Sequence, residues 1–110
     1  MDDKLALRVS QAGMRFIAQM TIYNSGDFER LRTFIGESYA PALLGDDGVD
    51  AWLESFRAQR DEVGKLRVRQ VIGTGKYHVI VLLEAEHGDD LILSEMKVDE
   101  DYPHLIVEYE

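Results

Sequence analysis

The residues best equipped for chemistry lie in the second half of the chain. All three histidines fall there, and residues 84–90 (EAEHGDD) gather His87 with Glu84, Glu86, Asp89 and Asp90. Carboxylates and an imidazole can hold a divalent cation, but this spacing matches no established ligand set, and acidic hairpin ends are ordinary. No metal site is expected. Residues 73–76 (GTGK) carry the glycines and lysine of a phosphate-cradling loop. The Walker arrangement needs Gly where Gln70 stands and Ser or Thr where Tyr77 stands, so GTGK reads as a hairpin turn. Ser10, Ser25, Ser38, Ser55 and Ser94 carry no nucleophile signature, and no Ser–His–acid set can be assembled from them. The chain has no cysteine, which excludes a thiol nucleophile, a disulfide and a thiolate zinc site. Asp46 and Asp47 are adjacent acids, but a helix start explains them more simply. No catalytic residue, metal or cofactor follows from these patterns.

The elements that must position any site divide the chain in two. Val9, Ala12, Phe16, Met20 and Tyr23 recur every three or four residues, with Leu5 a turn earlier, which predicts one helix from about residue 4 to about 23. Asn24-Ser25-Gly26 suits its C-cap, and Asp27 suits the N-cap of a second helix lined by Phe28, Leu31, Phe34 and Ile35 and ended by Gly36. Residues 36–48 (GESYAPALLGDDG) read as an irregular connector, because the residue before Pro41 avoids the α region. Asp46 or Asp47 then caps a third helix with Asp50 in its first turn. Val49, Trp52, Leu53 and Phe56 form its apolar face, up to about Val63. From Lys65 the period becomes two. Strands are expected at about 66–73, 77–87, 90–98 and 104–109, joined by short turns that favour antiparallel hairpins. The fold class is α+β: three N-terminal helices packed on one face of a curved four-stranded antiparallel sheet, as a single domain over 1–110.

Charge narrows the partners. The net charge is −9, and residues 1–83 hold 11 acidic and 11 basic side chains, so residues 84–110 with 10 acids and Lys97 carry all of it. Such a surface repels phosphate backbones and anionic membranes, so neither nucleic acid nor membrane is an expected partner. No apolar run approaches the roughly 18 residues needed to span a bilayer. The start, MDDKLALRVS, is acidic and lacks the basic head and apolar core of a signal peptide, which predicts a cytoplasmic protein.

Residues 23–44 (YNSGDFERLRTFIGESYAPALL) resemble the start of nuclear-transport-factor-2-like domains, where a helix–N-x-G-D–helix corner is common. Residues 62–86 (EVGKLRVRQVIGTGKYHVIVLLEAE) and the closing YPHLIVEYE are similar to a subgroup of these domains found beside bacterial serine hydrolases, or standing alone. The resemblance covers nearly the whole chain. It implies a cone of the cystatin-like type, with a cavity between helices and sheet and a structural role for His104 in the closing P-H. Better-known members carry a strand or hairpin between the second and third helices; here the connector 36–48 takes that place. The superfold hosts isomerases, dehydratases, polyketide cyclases, transport factors and dimerisation modules, so it implies no single activity. Ketosteroid isomerases of this fold use a first-helix Tyr and two carboxylic acids; aligned on the corner, the Tyr position falls near Gln19. No acid is expected on an inward strand face, so an enzyme of the ketosteroid isomerase or polyketide cyclase kind is the alternative and not the expectation.

The strand faces supply the candidate sites. Tyr77, Val79, Val81, Leu83 and Ala85 form a face that is apolar but for one hydroxyl, and point at the helices; Ile92, Ser94, Met96 and Val98 match them on the next strand. A pocket is expected among Gln19, Tyr23, Tyr39, Trp52, Phe56, Tyr77, Val79, Ser94 and Met96, suited to an apolar small molecule or a protein partner. The plainer alternative is a filled core. Outward, Ile80 and Leu82 beside Leu91, Leu93 and Ile106 make an apolar band where a solvated face would alternate to polar residues. That band predicts a homodimer through the sheet. A bulge near Gln70 that shifts the register is the competing explanation. Burial separates module from enzyme: Asp50 or Glu95 in a cavity beside Tyr23 or Tyr39 would favour catalysis.

Overall fold

The structure, a computed structural model, describes residues 3–110; Met1 and Asp2 of the acidic start lie outside the described residues. Five helices precede four strands: α1 (Asp3–Val9), α2 (Gln11–Ser25), α3 (Phe28–Ser38), α4 (Pro41–Leu44), α5 (Gly48–Val63), β1 (Leu66–Thr74), β2 (His78–Ala85), β3 (Leu91–Val98) and β4 (Ile106–Tyr109). The strands form one open antiparallel sheet in sequential order, and the fold is α+β. No helix among the described residues is long and apolar enough to cross a membrane.

The expected single first helix is two. Ser10 leaves the helical conformation and its hydroxyl accepts from the Gly13 N–H at 2.8 Å, an N-cap that starts α2 afresh. The stripe therefore holds only from Ala12 through Phe16 to Tyr23, all buried, while Val9 is 67% exposed and Leu7 takes the inward place on α1. Leu5 is also exposed. The two helices meet closely at Gly13, where a Cβ would stand 1.7 Å from the Leu7 carbonyl oxygen.

The corner at residues 24–27 forms as its residue types suggest. Gly26 takes the left-handed conformation (φ 78°) and its N–H donates to the Tyr23 carbonyl. Asp27 caps α3 through the Arg30 N–H at 3.0 Å. Gly36 does not end α3, which runs on to Ser38 and stops before Ala40-Pro41. The connector holds the short helix α4, with Pro41 at its first turn. Asp47 sits at the α5 N-cap position but makes no side-chain cap bond.

Helix α2 lies across β1, β2 and β3, α1 packs on α2 and β1, and α4 rests on β4. Helix α5 leans chiefly on α3. The core fills the layer between helices and sheet, with Val79, Val81 and Met96 fully enclosed. Irregularities at Val68/Gln70 and Val71/Gly73 interrupt the β1–β2 register, the first at the position anticipated. A third lies between Lys97 and Val98 opposite β4.

That last shift moves one expected residue. Ile106 was expected on the outer face beside Ile80 and Leu82. It pairs with Val98 and is wholly buried in the core, where its carbonyl also accepts from the Ala40 N–H at 2.8 Å. The irregularity lets both Ile106 and Tyr109 face inward, which strict alternation forbids.

Candidate functional site

The inward face of α5 and the sheet do not close on each other completely. Trp52, Phe56, Gln59 and Glu62 follow one another at three- and four-residue steps along α5, so they form one stripe. Opposite them stand Ile92 and Ser94 of β3 and Tyr109 of β4. Between the two rows lies a cleft of about 440 Å³, within the usual range for small-molecule sites. Its aromatic wall is continuous. The Trp52 ring lies 6.5 Å from Phe56 and 6.2 Å from Tyr109, and Phe56 lies 5.9 Å from Tyr109.

Behind this wall is a polar floor. Gln19, 2% exposed, accepts the Tyr39 hydroxyl at 2.6 Å through Oε1. The Tyr109 phenol lies by Gln19 and Ser94, and the Ser94 hydroxyl donates to the Glu110 carbonyl at 2.7 Å. The Tyr23 hydroxyl donates to the Gly64 carbonyl at 2.8 Å. No enclosed side-chain nitrogen or oxygen among the described residues lacks a partner. A void of only about 10 Å³ remains among Gln19, Tyr23, Phe56 and Tyr109, near the least space that admits one water.

Electrostatics hold these phenols neutral. Burial pushes Tyr23 up to about 12, with the Arg60 guanidinium drawing it back and Tyr109 adding to the rise. Burial also raises Tyr39, again with a contribution from Tyr109. It raises Tyr109, against hydrogen bonding by Ser94 and Gln19 that favours the ionised form. Neutral phenols can donate a hydrogen bond, but they are poor bases at neutral pH.

Of the expected pocket residues, Trp52, Phe56 and Ser94 line the cleft, and Gln19, Tyr23 and Tyr39 build the floor beside it. Val79 and Met96 pair across β2 and β3 and are sealed in the core, facing no opening. Tyr77 stands at the other end of the sheet, its ring stacked 5.7 Å from His104. His104 itself binds the Asp99 carbonyl through Nδ1 at 2.9 Å. Tyr109 is a central lining residue that sequence reasoning missed. Its signal was alternation along β4: with Ile106 read as outward, Tyr109 three residues on falls on the inward face, opposite Met96.

The two acids that would have favoured catalysis face elsewhere. Asp50 is exposed and paired with Arg32. Glu95 lies on the outer sheet face, 2.9 Å from His78 Nε2. Among the described residues no group of His, Asp and Glu is arranged to hold a metal ion. On the outer face Ile80 and Leu82 are half-buried and Leu91 and Leu93 exposed, Leu93 by 63%. Glu84 anchors Arg67 and Arg69 beside them, which holds its carboxyl below the usual range, and Lys97 pairs with Glu108 at 3.5 Å.

No family model matches this chain, and neither the curated proteins nor the solved structures searched include a match.

Proposed function

We propose that this domain is a non-catalytic binding module of the nuclear-transport-factor-2-like kind, which takes an apolar small molecule in the cleft between α5 and the sheet. The observation that carries this reading is the cleft itself: about 440 Å³ walled by Trp52, Phe56 and Tyr109, with a fully partnered polar floor. Large aromatic walls with few polar groups suit an apolar ligand. The module reading is further supported by the outward placement of Asp50 and Glu95, which leaves the tyrosines without a carboxylic acid partner in the cleft interior. The family assignment draws on the helix–corner–helix residues 23–44 and on the order of helices before a four-stranded meander.

The test uses the only tryptophan in the chain. Decanol titrated into the protein should quench or shift Trp52 emission saturably, and Gln59→Trp, which fills the cleft from the α5 side, should abolish saturable binding measured by calorimetry. A linear, non-saturating response in the parent protein would defeat the reading.

A second reading concerns the outer sheet face, favoured by the exposed Leu91 and Leu93 beside Ile80 and Leu82. It is a homodimer with the two sheets apposed. Sedimentation should give twice the chain mass of 12.5 kDa, and Leu93→Lys should return it to one. A monomer at high micromolar concentration would remove this reading and leave the cleft reading intact.

A further inference from the structure

The outer face of the sheet is divided into quarters of different chemistry. At one end of it Arg67 pairs with Glu84 and Gln70 with Leu82 across β1 and β2, and the row continues to Leu91 and Leu93 on β3. At the other end Gly73 pairs with Ile80, Ile80 with Glu95, and Lys97 with Glu108. Glu95 and Glu110 exchange both backbone hydrogen bonds, at 3.2 and 3.0 Å, so their side chains are cross-strand neighbours on this face. One diagonal thus runs from a basic quarter on β1, Arg67 with Arg69, to an acidic quarter on β3 and β4, Glu95 with Glu108 and Glu110. The other runs from Leu91 and Leu93, both more than half exposed, to the uncharged Gly73.

Neither charged quarter is balanced within the chain. Arg67 and Arg69 share the single carboxylate of Glu84, which leaves one cation over. Glu95 has His78 at 2.9 Å and Glu108 has Lys97 at 3.5 Å, but Glu110 has no basic group within 4.0 Å among the described residues. Like charges directly opposite each other, as Glu95 and Glu110 are, weaken the strand pair that carries them.

Resting on the homodimer reading above, we infer how the second copy sits: the dyad runs along the leucine–glycine diagonal, and the two sheets cross near a right angle. Two sheets face to face have their dyad in the plane between them. A dyad along the strands would press the arginines onto the partner's Leu91, and one across the strands would press the acids onto it. Each choice sets charge against hydrocarbon. A dyad along the charged diagonal would set arginine on arginine and glutamate on glutamate. The remaining choice brings Arg67 and Arg69 of each copy to Glu108 and Glu110 of the other, twice over, and covers Leu91 and Leu93 with their own counterparts. Orthogonal packing is one of the two standard ways for sheets to meet.

The experiment mixes two variants. Arg67→Glu with Arg69→Glu makes both charged quarters acidic, and Glu108→Lys with Glu110→Lys makes both basic. Each alone should lose the dimer and sediment at one chain mass. An equimolar mixture should return to twice the chain mass, because every contact then joins opposite charges. Both variants keep a net negative charge, since the chain carries −9, so bulk attraction cannot join them. All four positions are exposed, so the variants retain the fold. An uncharged probe checks the same dyad. In a chain with no cysteine of its own, Leu91→Cys should oxidise to a covalent dimer, whereas Gln70→Cys, off the dyad, should not. A dimer that survives either charge variant, a mixture that stays monomeric, or a Leu91→Cys dimer without the covalent link overturns this orientation while the homodimer reading stands. A parent protein that is monomeric at high micromolar concentration overturns both.

Discussion

Asn24 treats the start of β1 as if it were a neighbouring strand. Its Nδ2 donates to the Leu66 carbonyl at 2.7 Å, and its Oδ1 accepts from the Leu66 N–H at 2.8 Å. One side-chain amide thus satisfies both backbone groups of Leu66, at the helix end where the chain turns its corner. With Arg60 donating to the Asn24 carbonyl at 3.1 Å, the corner ties together α2, α5 and the sheet. Asn24→Ala should cost about 1–3 kcal/mol, since two backbone groups lose their partners. Urea unfolding would show it as a lower midpoint with unchanged slope. An unchanged midpoint would mean that water replaces the amide.

The Gln19–Tyr39 bond sets a second expectation. Tyr39→Phe leaves a buried amide oxygen without its donor and should destabilise by about 1–3 kcal/mol. Combining it with Gln19→Met removes both polar partners. The double variant should then lose less than the sum of the two single losses, as a double-mutant cycle would read out.

Alkaline pH should unfold the protein through its tyrosines. Folded Tyr23 is raised to about 12 from 10.0, and Tyr39 and Tyr109 are raised as well. An acid whose folded value lies above its unfolded value binds its proton more tightly when folded. Its contribution is complete below the unfolded value and is lost as pH climbs through the window between the two. Stability should be flat in this respect below about pH 10 and fall from there to 12. Absorbance at 295 nm should show three of the five tyrosines ionising late and together with unfolding. Five ionising alike near pH 10 in folded protein would contradict the buried floor.

Gly13 should tolerate no side chain. The Leu7 carbonyl oxygen 1.7 Å from its would-be Cβ is backbone, so α1 must move to make room. Gly13→Ala is expected to cost about 1–3 kcal/mol as overpacking, despite the better helix propensity of Ala. Thermal unfolding would check this; a stabilised variant would show that α1 shifts freely.

Much of this architecture was legible along the chain, and the failures are local. Tyr77 aside, the inward faces of β2 and β3 followed from alternation alone, because both strands are regular from Val79 to Val98 across the turn that joins them. The corner at 24–27 was legible because Asn, Gly and Asp act there through their own backbone. Val9 and Leu5 were misplaced because Ser10 resets the helical phase, and periodicity cannot see a cap that falls inside its own stripe. Ile106 was misjudged because one extra residue in β4 breaks the period of two. The cleft was half legible: α5 displayed Trp52 and Phe56, but the partner across from them depended on that same irregular strand.

The Lys76 carbonyl, in the β1–β2 turn, accepts from both the Gln11 and the Ala12 N–H, at 2.9 and 3.2 Å. That turn is therefore not a free surface loop: it supplies the oxygen that ends the run of unpaired donors at the head of α2. The β2–β3 turn has a duty only at its start, where the His87 N–H donates to the Val63 carbonyl at the end of α5 at 2.9 Å; residues 88–90 beyond it are exposed. Two hairpin ends of similar length thus differ in what they can accept. A tag, an epitope or a second domain grafted at residues 88–90 leaves the helix layer untouched, whereas the same insertion at 74–76 would unseat a helix from the far end of the chain.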